Sequence, residues 1–284
     1  MPISVRESIL HAENLFFSHN IENARLEAEL LAMYVLGVRR AELYIRMDET
    51  LAKVEDFWCL AERRISHEPS TYILGHREFY GIDFHVDPRV LIPRPESELL
   101  VEKALEFANR SGITGKKWLI ADVGTGSGVI AISLAVNLPN SVVYAVDISE
   151  DALEVALDNC RELAVLDRVH ILCGDLLHPV PVSVDIIVAN LPYVTDLEMH
   201  NLSPEIRLFE PSNALIGGSD GLDQVRRLLS QSEEMLCPGG FLAFEIGKGQ
   251  GEIATTLAHK HFPEAHVDLA SDLGGIPRVV VVTT

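Results

Sequence analysis

Val184-Asp185-Ile186-Ile187-Val188-Ala189-Asn190-Leu191-Pro192-Tyr193 is the stretch whose reading decides the fold. Apart from Asp185 its first six residues are apolar, and most are β-branched, which suits a strand covered on both faces. The run stops at a polar residue and a proline, so Asn190 is expected at the carboxyl end of that strand. Open α/β sheets hold their ligands outside the carboxyl ends of their strands, which makes Asn190, Leu191, Pro192 and Tyr193 the first candidates for a reacting site.

These four residues have a definite chemistry. The Asn190 side-chain oxygen accepts hydrogen bonds, as does the Leu191 carbonyl, whose direction is restricted because the residue before a proline is held in the β or polyproline region. Two neighbouring acceptors grip both hydrogens of one NH2 group and turn its nitrogen toward a chosen partner, while the Tyr193 ring offers a face to lie against it. The plain alternative is a strand end, a proline-led turn and a half-buried tyrosine. A cofactor site beside the motif decides between the two.

Outward from this strand, elements alternate. The patterning predicts strand 118–123, helix 128–137, strand 142–147, helix 150–163, strands 169–173 and 184–189, helix 221–236, strand 241–246, helix 252–261 and strands 265–269 and 278–282. Such alternation implies a parallel sheet with helices on both faces. The last two strands are joined through Gly274-Gly275, too short a link for a helical crossover, so one of them runs antiparallel to its neighbour. The expected fold is α/β, a doubly wound, seven-stranded, mostly parallel sheet preceded by a small helical bundle.

Between the first strand and its helix lies Asp122-Val123-Gly124-Thr125-Gly126-Ser127-Gly128. Glycines let the backbone approach a ligand closely, and the following helix amino end favours an anionic group. The spacing is Gly-x-Gly-x-Gly; the dinucleotide fingerprint needs a glycine where Val129 stands, so a nicotinamide cofactor is the weaker reading. Asp147, closing the second strand, is placed to accept from both hydroxyls of a ribose. Asp175, after the third, is placed to take an adenine amino group, with Ile148 and Leu176 covering the ring. Each acid alone is equally a helix cap or a solvated loop residue; three successive strand ends together point to a nucleoside-bearing cofactor.

The amino-terminal part differs. Residues 1–75 read as a helical bundle, with apolar residues three and four apart at Val5, Ile9, Ala12 and Phe16, then Leu26, Leu30, Met33 and Leu36, then Leu51, Val54, Trp58, Ala61 and Ile65. A packing or partner-docking role is expected of it. Residues 76–93 alternate with period two around Gly81 and read as a β-hairpin linker, and 94–284 form the α/β domain. The segment Leu91-Ile92-Pro93-Arg94-Pro95-Glu96-Ser97-Glu98 is an extended, proline-held entry into a helix reaching about Arg110, or the rim of an active site.

Composition narrows the function. The chain has 284 residues, 48% of them hydrophobic, with 23 Lys and Arg against 42 Asp and Glu and a formal charge of −19. That field repels nucleic acid and anionic membrane and attracts a cationic ligand. Cys59, Cys160, Cys173 and Cys237 lack paired short spacing, and the histidines are scattered apart from His259 and His261, so neither a disulfide framework nor a metal site is expected. No signal peptide or apolar run of membrane length is visible. A cytoplasmic monomer without a nucleic-acid partner is the expectation.

The glycine loop, Asp147 and the Asn-Leu-Pro-Tyr motif together resemble an S-adenosylmethionine-dependent methyltransferase acting on amino groups. With Tyr72-Ile73-x-Gly75, Glu78-Phe79-Tyr80-Gly81, the Leu91–Glu98 segment, most specific of all at 94–98, and Glu245-Ile246-Gly247, the chain resembles the PrmC/HemK family of peptide chain release factor glutamine methyltransferases along nearly its whole length. The resemblance implies methyl transfer from S-adenosylmethionine to the side-chain amide of the Gln in the Gly-Gly-Gln loop of release factors. It assigns the cofactor to Gly124, Thr125, Gly126, Ser127, Gly128, Asp147, Ile148, Asp175, Leu176 and Asn190. Asn190, Pro192 and Tyr193 fall to catalysis, and Asn190 to Tyr193 with Arg94 and Ser97 to the substrate. The sequence departs from the family's usual pattern in having Leu191 where proline is common and Ser97 where threonine is common. Leu191 keeps the carbonyl and Ser97 the hydroxyl. The rivals are a DNA or RNA amino-methyltransferase and a cofactor-binding scaffold without catalysis.

Overall fold

The structure, a computed structural model, describes residues 3–110 and 115–284. Its first helices are α1 (Val5–Ser18), α2 (Ala24–Leu36), α3 (Arg40–Ile45), α4 (Val54–Ile65) and α5 (Ser70–Leu74). Helix α1 opens with a reciprocal cap in which the Ser4 side chain accepts from Glu7 N and the Glu7 carboxylate accepts from Ser4 N. Ile9, Phe16, Leu31, Leu43 and Phe57 fill the middle of the bundle without exposure. Helices α3 and α5 are too short to leave a periodic trace in the sequence, which explains why the apolar spacing marks only three of the five.

Strands β1 (His76–Phe79) and β2 (Ile82–His85) form a two-stranded sheet whose turn puts Tyr80 and Gly81 at positive φ, 51° and 73°, the conformation that matches strand twist in a two-residue hairpin. A 3-10 turn at Pro95–Ser97 leads into α6 (Glu98–Arg110). Then follow β3 (Trp118–Val123), α7 (Val129–Asn137), β4 (Ser141–Asp147), α8 (Glu150–Glu162), β5 (Val169–Cys173) and β6 (Val184–Ala189). The chain continues through β7 (Val194–Thr195), α9 (Pro204–Phe209), β8 (Ile216–Gly218), α10 (Asp223–Met235), β9 (Leu236–Glu245), α11 (Gly251–His261), β10 (His266–Ser271) and β11 (Pro277–Thr283).

The large sheet has seven strands in the order β10-β11-β9-β6-β3-β4-β5. Only β11 is reversed, pairing antiparallel with both β9 and β10, as the short Gly274-Gly275 link requires. Alternate residues feed two cores. Ile120, Val188 and Ala243 belong to one face, and Val123, Ile187 and Phe244 to the other. From β3 the chain steps outward through β4 and β5, then returns to the opposite side of β3 as β6. This reversal makes β3 and β6 the topological switch point, and their last residues, Val123 and Ala189, are register partners. The glycine loop and Asn190 therefore leave the sheet side by side.

Two departures have local causes. Strand β9 starts at Leu236 rather than Phe241, because Cys237–Gly240 is accommodated as an irregularity in its pairing with β6. Between the strand at 184–189 and the helix expected from 221, where the patterning predicts no element, the chain holds the short parallel pair β7 and β8 and the helix α9. The chain packs as two compact units, one running to His76 and including Ser203–Phe209, the other comprising Arg77–Leu202 and Glu210–Thr284. In the first unit the buried Arg64 guanidinium bridges Glu27, at 2.7 Å, and Glu205. Among the described residues no helix is long and apolar enough to cross a membrane.

Candidate active site

Where β3 ends, Gly124 N and Thr125 N both donate to Val146 O on β4, each at 2.9 Å, and the chain turns back over the sheet. Asp122, without exposure, ties this turn to α7 by accepting from Thr125 Oγ1 at 2.7 Å and Ala131 N at 3.0 Å. Burial, reinforced by the nearby Asp147 charge, pushes the Asp122 carboxyl up to about 7. At the end of β4 the Asp147 carboxylate is held by two backbone donors, Gly126 N on Oδ2 and Ser149 N on Oδ1, both at 2.9 Å. Each oxygen keeps a further lone pair for a ligand hydroxyl.

These ends line one cleft. Of the residues singled out in the sequence, Gly124, Thr125, Gly126, Ser127, Asp147, Ile148, Asp175, Leu176, Asn190, Leu191, Pro192 and Ser97 are on its wall. Ile148 is 69% exposed and offers an uncovered apolar face, whereas Leu176 is buried. Asp175 is at the wall with one oxygen already paired to the Arg227 guanidinium.

Gly128, Arg94 and Tyr193 are placed otherwise. Gly128 has α8 against it, so that a Cβ there would stand 3.2 Å from the Ala156 Cβ; its lack of a side chain serves the approach of the two helices. Arg94 pairs with the buried Glu210 carboxylate at 2.6 Å. Tyr193 turns its hydroxyl to Glu245, and burial together with that carboxylate raises its pKa.

Asn190 stands at the centre. Its backbone oxygen is pressed against the glycine loop, leaving only 3.0 Å to a Cβ built on Gly124, and Leu191 buries its side chain beside it. Asn190 Nδ2 donates to Ser97 Oγ at 2.9 Å, and Ser97 Oγ donates to Glu245 Oε2 at 2.5 Å. Glu245 is 2% exposed, and burial raises its pKa against the lowering effect of the Ser97 and Tyr193 hydrogen bonds. Gln250 closes the back by donating to Tyr193 O at 2.9 Å and Asp220 O at 3.0 Å while accepting from Gly247 N at 2.7 Å.

No local pattern marks Asp122 as a buried anchor, Glu245 and Gln250 as supports of Asn190 and Tyr193, or Asn159 as a tie. The last, buried in α8, accepts from His85 N at 2.8 Å and donates to His85 O at 2.9 Å and Ser127 O at 2.8 Å, pinning β2 to the glycine loop. These partners are far apart in sequence, 148 positions for Ser97 and Glu245. The only local trace was Glu245 in its Glu-Ile-Gly run.

Residues 7–75 match the model of the PrmC N-terminal domain and residues 97–215 that of the methyltransferase small domain. A release factor glutamine methyltransferase of Moorella thermoacetica is 42% identical over 259 residues, 90% of each chain. One of Bacillus cereus is 38% identical, covering 91% of this chain and 93% of its own. Among solved structures, a methyltransferase from Pyrococcus furiosus superposes with a TM-score of 0.53 at 18% identity, covering 72% of this chain and 90% of that one; at that identity the likeness speaks for the fold alone. With matches of this identity over nine tenths of its length, the chain belongs to the family of release factor glutamine methyltransferases.

Proposed function

We propose that this protein transfers the methyl group of S-adenosylmethionine to the side-chain amide nitrogen of the Gln in the Gly-Gly-Gln loop of peptide chain release factors. The observation that carries this is the placement of two acceptors, Asn190 Oδ1 and the Leu191 carbonyl, at the end of β6 next to the glycine loop at the end of β3. The donor set fits the cofactor: Asp147 has spare lone pairs for the ribose hydroxyls, Gly126 has open space where a Cβ would be, and Ile148 and Leu176 give apolar cover for adenine. When bound, S-adenosylmethionine supplies an electrophilic methyl on a sulfonium.

An amide nitrogen is a poor nucleophile because its lone pair is shared with the carbonyl, so orientation carries much of the rate. Asn190 and the Leu191 carbonyl hold the two amide hydrogens, and that grip strengthens as positive charge develops on the nitrogen. Pro192 closes the wall beside them. A cationic amide is a strong acid, so its proton passes to water without a dedicated base. Ser97 and Arg94 act on the substrate side through Asn190 and Glu210. Residues 1–75 dock the protein substrate, supported by the exposed Phe17, Tyr44 and Ile45 of that unit. Residues 76–93 link it to the transferase domain at 94–284. The formal charge of −19 supports a protein substrate over a nucleic acid. We read the enzyme as a monomer of the cytoplasm.

Mass spectrometry of a release factor incubated with the protein and S-adenosylmethionine tests the reading. One added methyl on the loop Gln is the expected result. A release factor left unmodified, while a nucleic acid incubated in its place gains the methyl or nothing does, overturns it.

A further inference from the structure

A carboxamide grips an amide hydrogen only with its oxygen, so the Asn190 side chain serves in one of its two orientations and obstructs in the other. What stands behind it decides which. The Ser97 hydroxyl carries a single proton, and that proton goes to Glu245 Oε2 over 2.5 Å. As long as Glu245 is a carboxylate it has no proton to return, and Ser97 then faces Asn190 with lone pairs alone. Asn190 answers with its donor, Nδ2, at 2.9 Å. Its Oδ1 is left over, and among the described residues no hydrogen bond ends on it, although the residue lines the cleft. Ser97 and Glu245 are each 2% exposed, which keeps water from offering either group another partner. The Tyr193 hydroxyl also faces Glu245 and favours its ionised form.

We propose that Ser97 and Glu245 are positioning residues that fix the Asn190 carboxamide with Nδ2 turned inward and Oδ1 presented to the cleft. The proposal rests on the reading of Asn190 as the clamp on a substrate amide. Without the relay the carboxamide rotates, and in half of its orientations it meets the substrate's N–H groups with N–H groups of its own. Each partner has its own signature. Ser97→Ala removes the acceptor for Nδ2, Ser97→Thr keeps it, and Glu245→Gln brings an amide N–H to a place where the Ser97 hydroxyl finds only acceptors.

The experiment uses the full chain labelled with nitrogen-15 in asparagine side chains, the Asn190 signal being assigned by its loss in Asn190→Ala. In the wild type and in S97T the Asn190 Nδ2 protons exchange slowly; in S97A their resonances move and exchange accelerates about tenfold or more. Kinetics with a release factor form the second arm. S97A and E245Q lower kcat about ten- to hundredfold while KM for the release factor and Kd for S-adenosylhomocysteine stay within about twofold, and S97T recovers most of the S97A loss. An Asn190 signal that ignores S97A, or a kcat that falls together with cofactor affinity in both S97A and E245Q, overturns the proposal. If the Asn190 signal responds as stated but the wild type methylates no release factor, the relay stands and the functional reading falls.

Discussion

Gly221 lies so close beneath Tyr193 that a Cβ on it would stand 2.1 Å from the Tyr193 carbonyl oxygen, and 2.2 Å from the Gln250 Nε2 that donates to that oxygen. Its φ of 76° adds strain for any side chain. Gly221→Ala must therefore push the Asn190–Tyr193 turn away from the glycine loop or break the Gln250 bond. A displacement of that order at a residue orienting a nucleophile is costly. Methyl transfer is expected to fall about tenfold or more, with a melting temperature lowered by several degrees. Steady-state kinetics and calorimetry check both, and wild-type rates would mean that this turn does not position the reacting amide.

Asn190→Ala separates chemistry from binding. The alanine removes Oδ1 and leaves the Leu191 carbonyl, the Asp147 carboxylate and the glycine loop in place. Loss of one oriented hydrogen-bonding group that acts in the transition state costs about a hundredfold in kcat or more. Cofactor affinity, read by titration calorimetry, is expected to stay within about threefold. A proportional loss of both would assign Asn190 to holding the cleft together.

Asp147→Asn is expected to do the reverse. Its two oxygens already serve Gly126 N and Ser149 N, and an amide there replaces one acceptor with a donor aimed at a backbone N–H. The loop bearing Gly126 loosens and one ribose acceptor disappears. Kd for S-adenosylmethionine is expected to rise about tenfold or more, with kcat at saturating cofactor changed by less. A kcat loss larger than the loss of cofactor affinity would contradict the assignment.

Much of this site was legible in sequence because strand ends are local features. The runs Trp118–Val123 and Val184–Ala189 carry their own strand signal, and each is followed at once by a residue of the proposed site, Gly124 and Asn190. The reversed β11 followed from a link too short for a crossover. What stayed hidden was the support. Glu245 reaches Ser97, and Asn159 reaches Ser127 and His85, through a fold that no spacing records. The packing partners of Gly128 and Arg94 stayed hidden for a related reason. A glycine in a turn and an arginine in a specific motif do not reveal from sequence the neighbours the structure gives them, α8 for Gly128 and Glu210 for Arg94.

Asp122 gives a pH signature of stability. Its folded pKa is about 7 against an ordinary 3.8, with burial as the main cause, so the folded state holds the proton more tightly than the unfolded chain. Stability from this group is therefore fully present below the unfolded pKa and is lost as pH rises through the folded one. The loss is on the order of 4 kcal/mol across that window. Asp122→Asn keeps an oxygen for Thr125 Oγ1 and Ala131 N but does not titrate. Every other ionisable group is common to the two proteins, so the difference between their melting temperatures isolates Asp122. That difference, mutant minus wild type, is expected to grow by several degrees between about pH 5 and pH 8. Calorimetry at intervals across the range measures it, and a difference that stays flat would mean that Asp122 is ionised in the folded protein throughout.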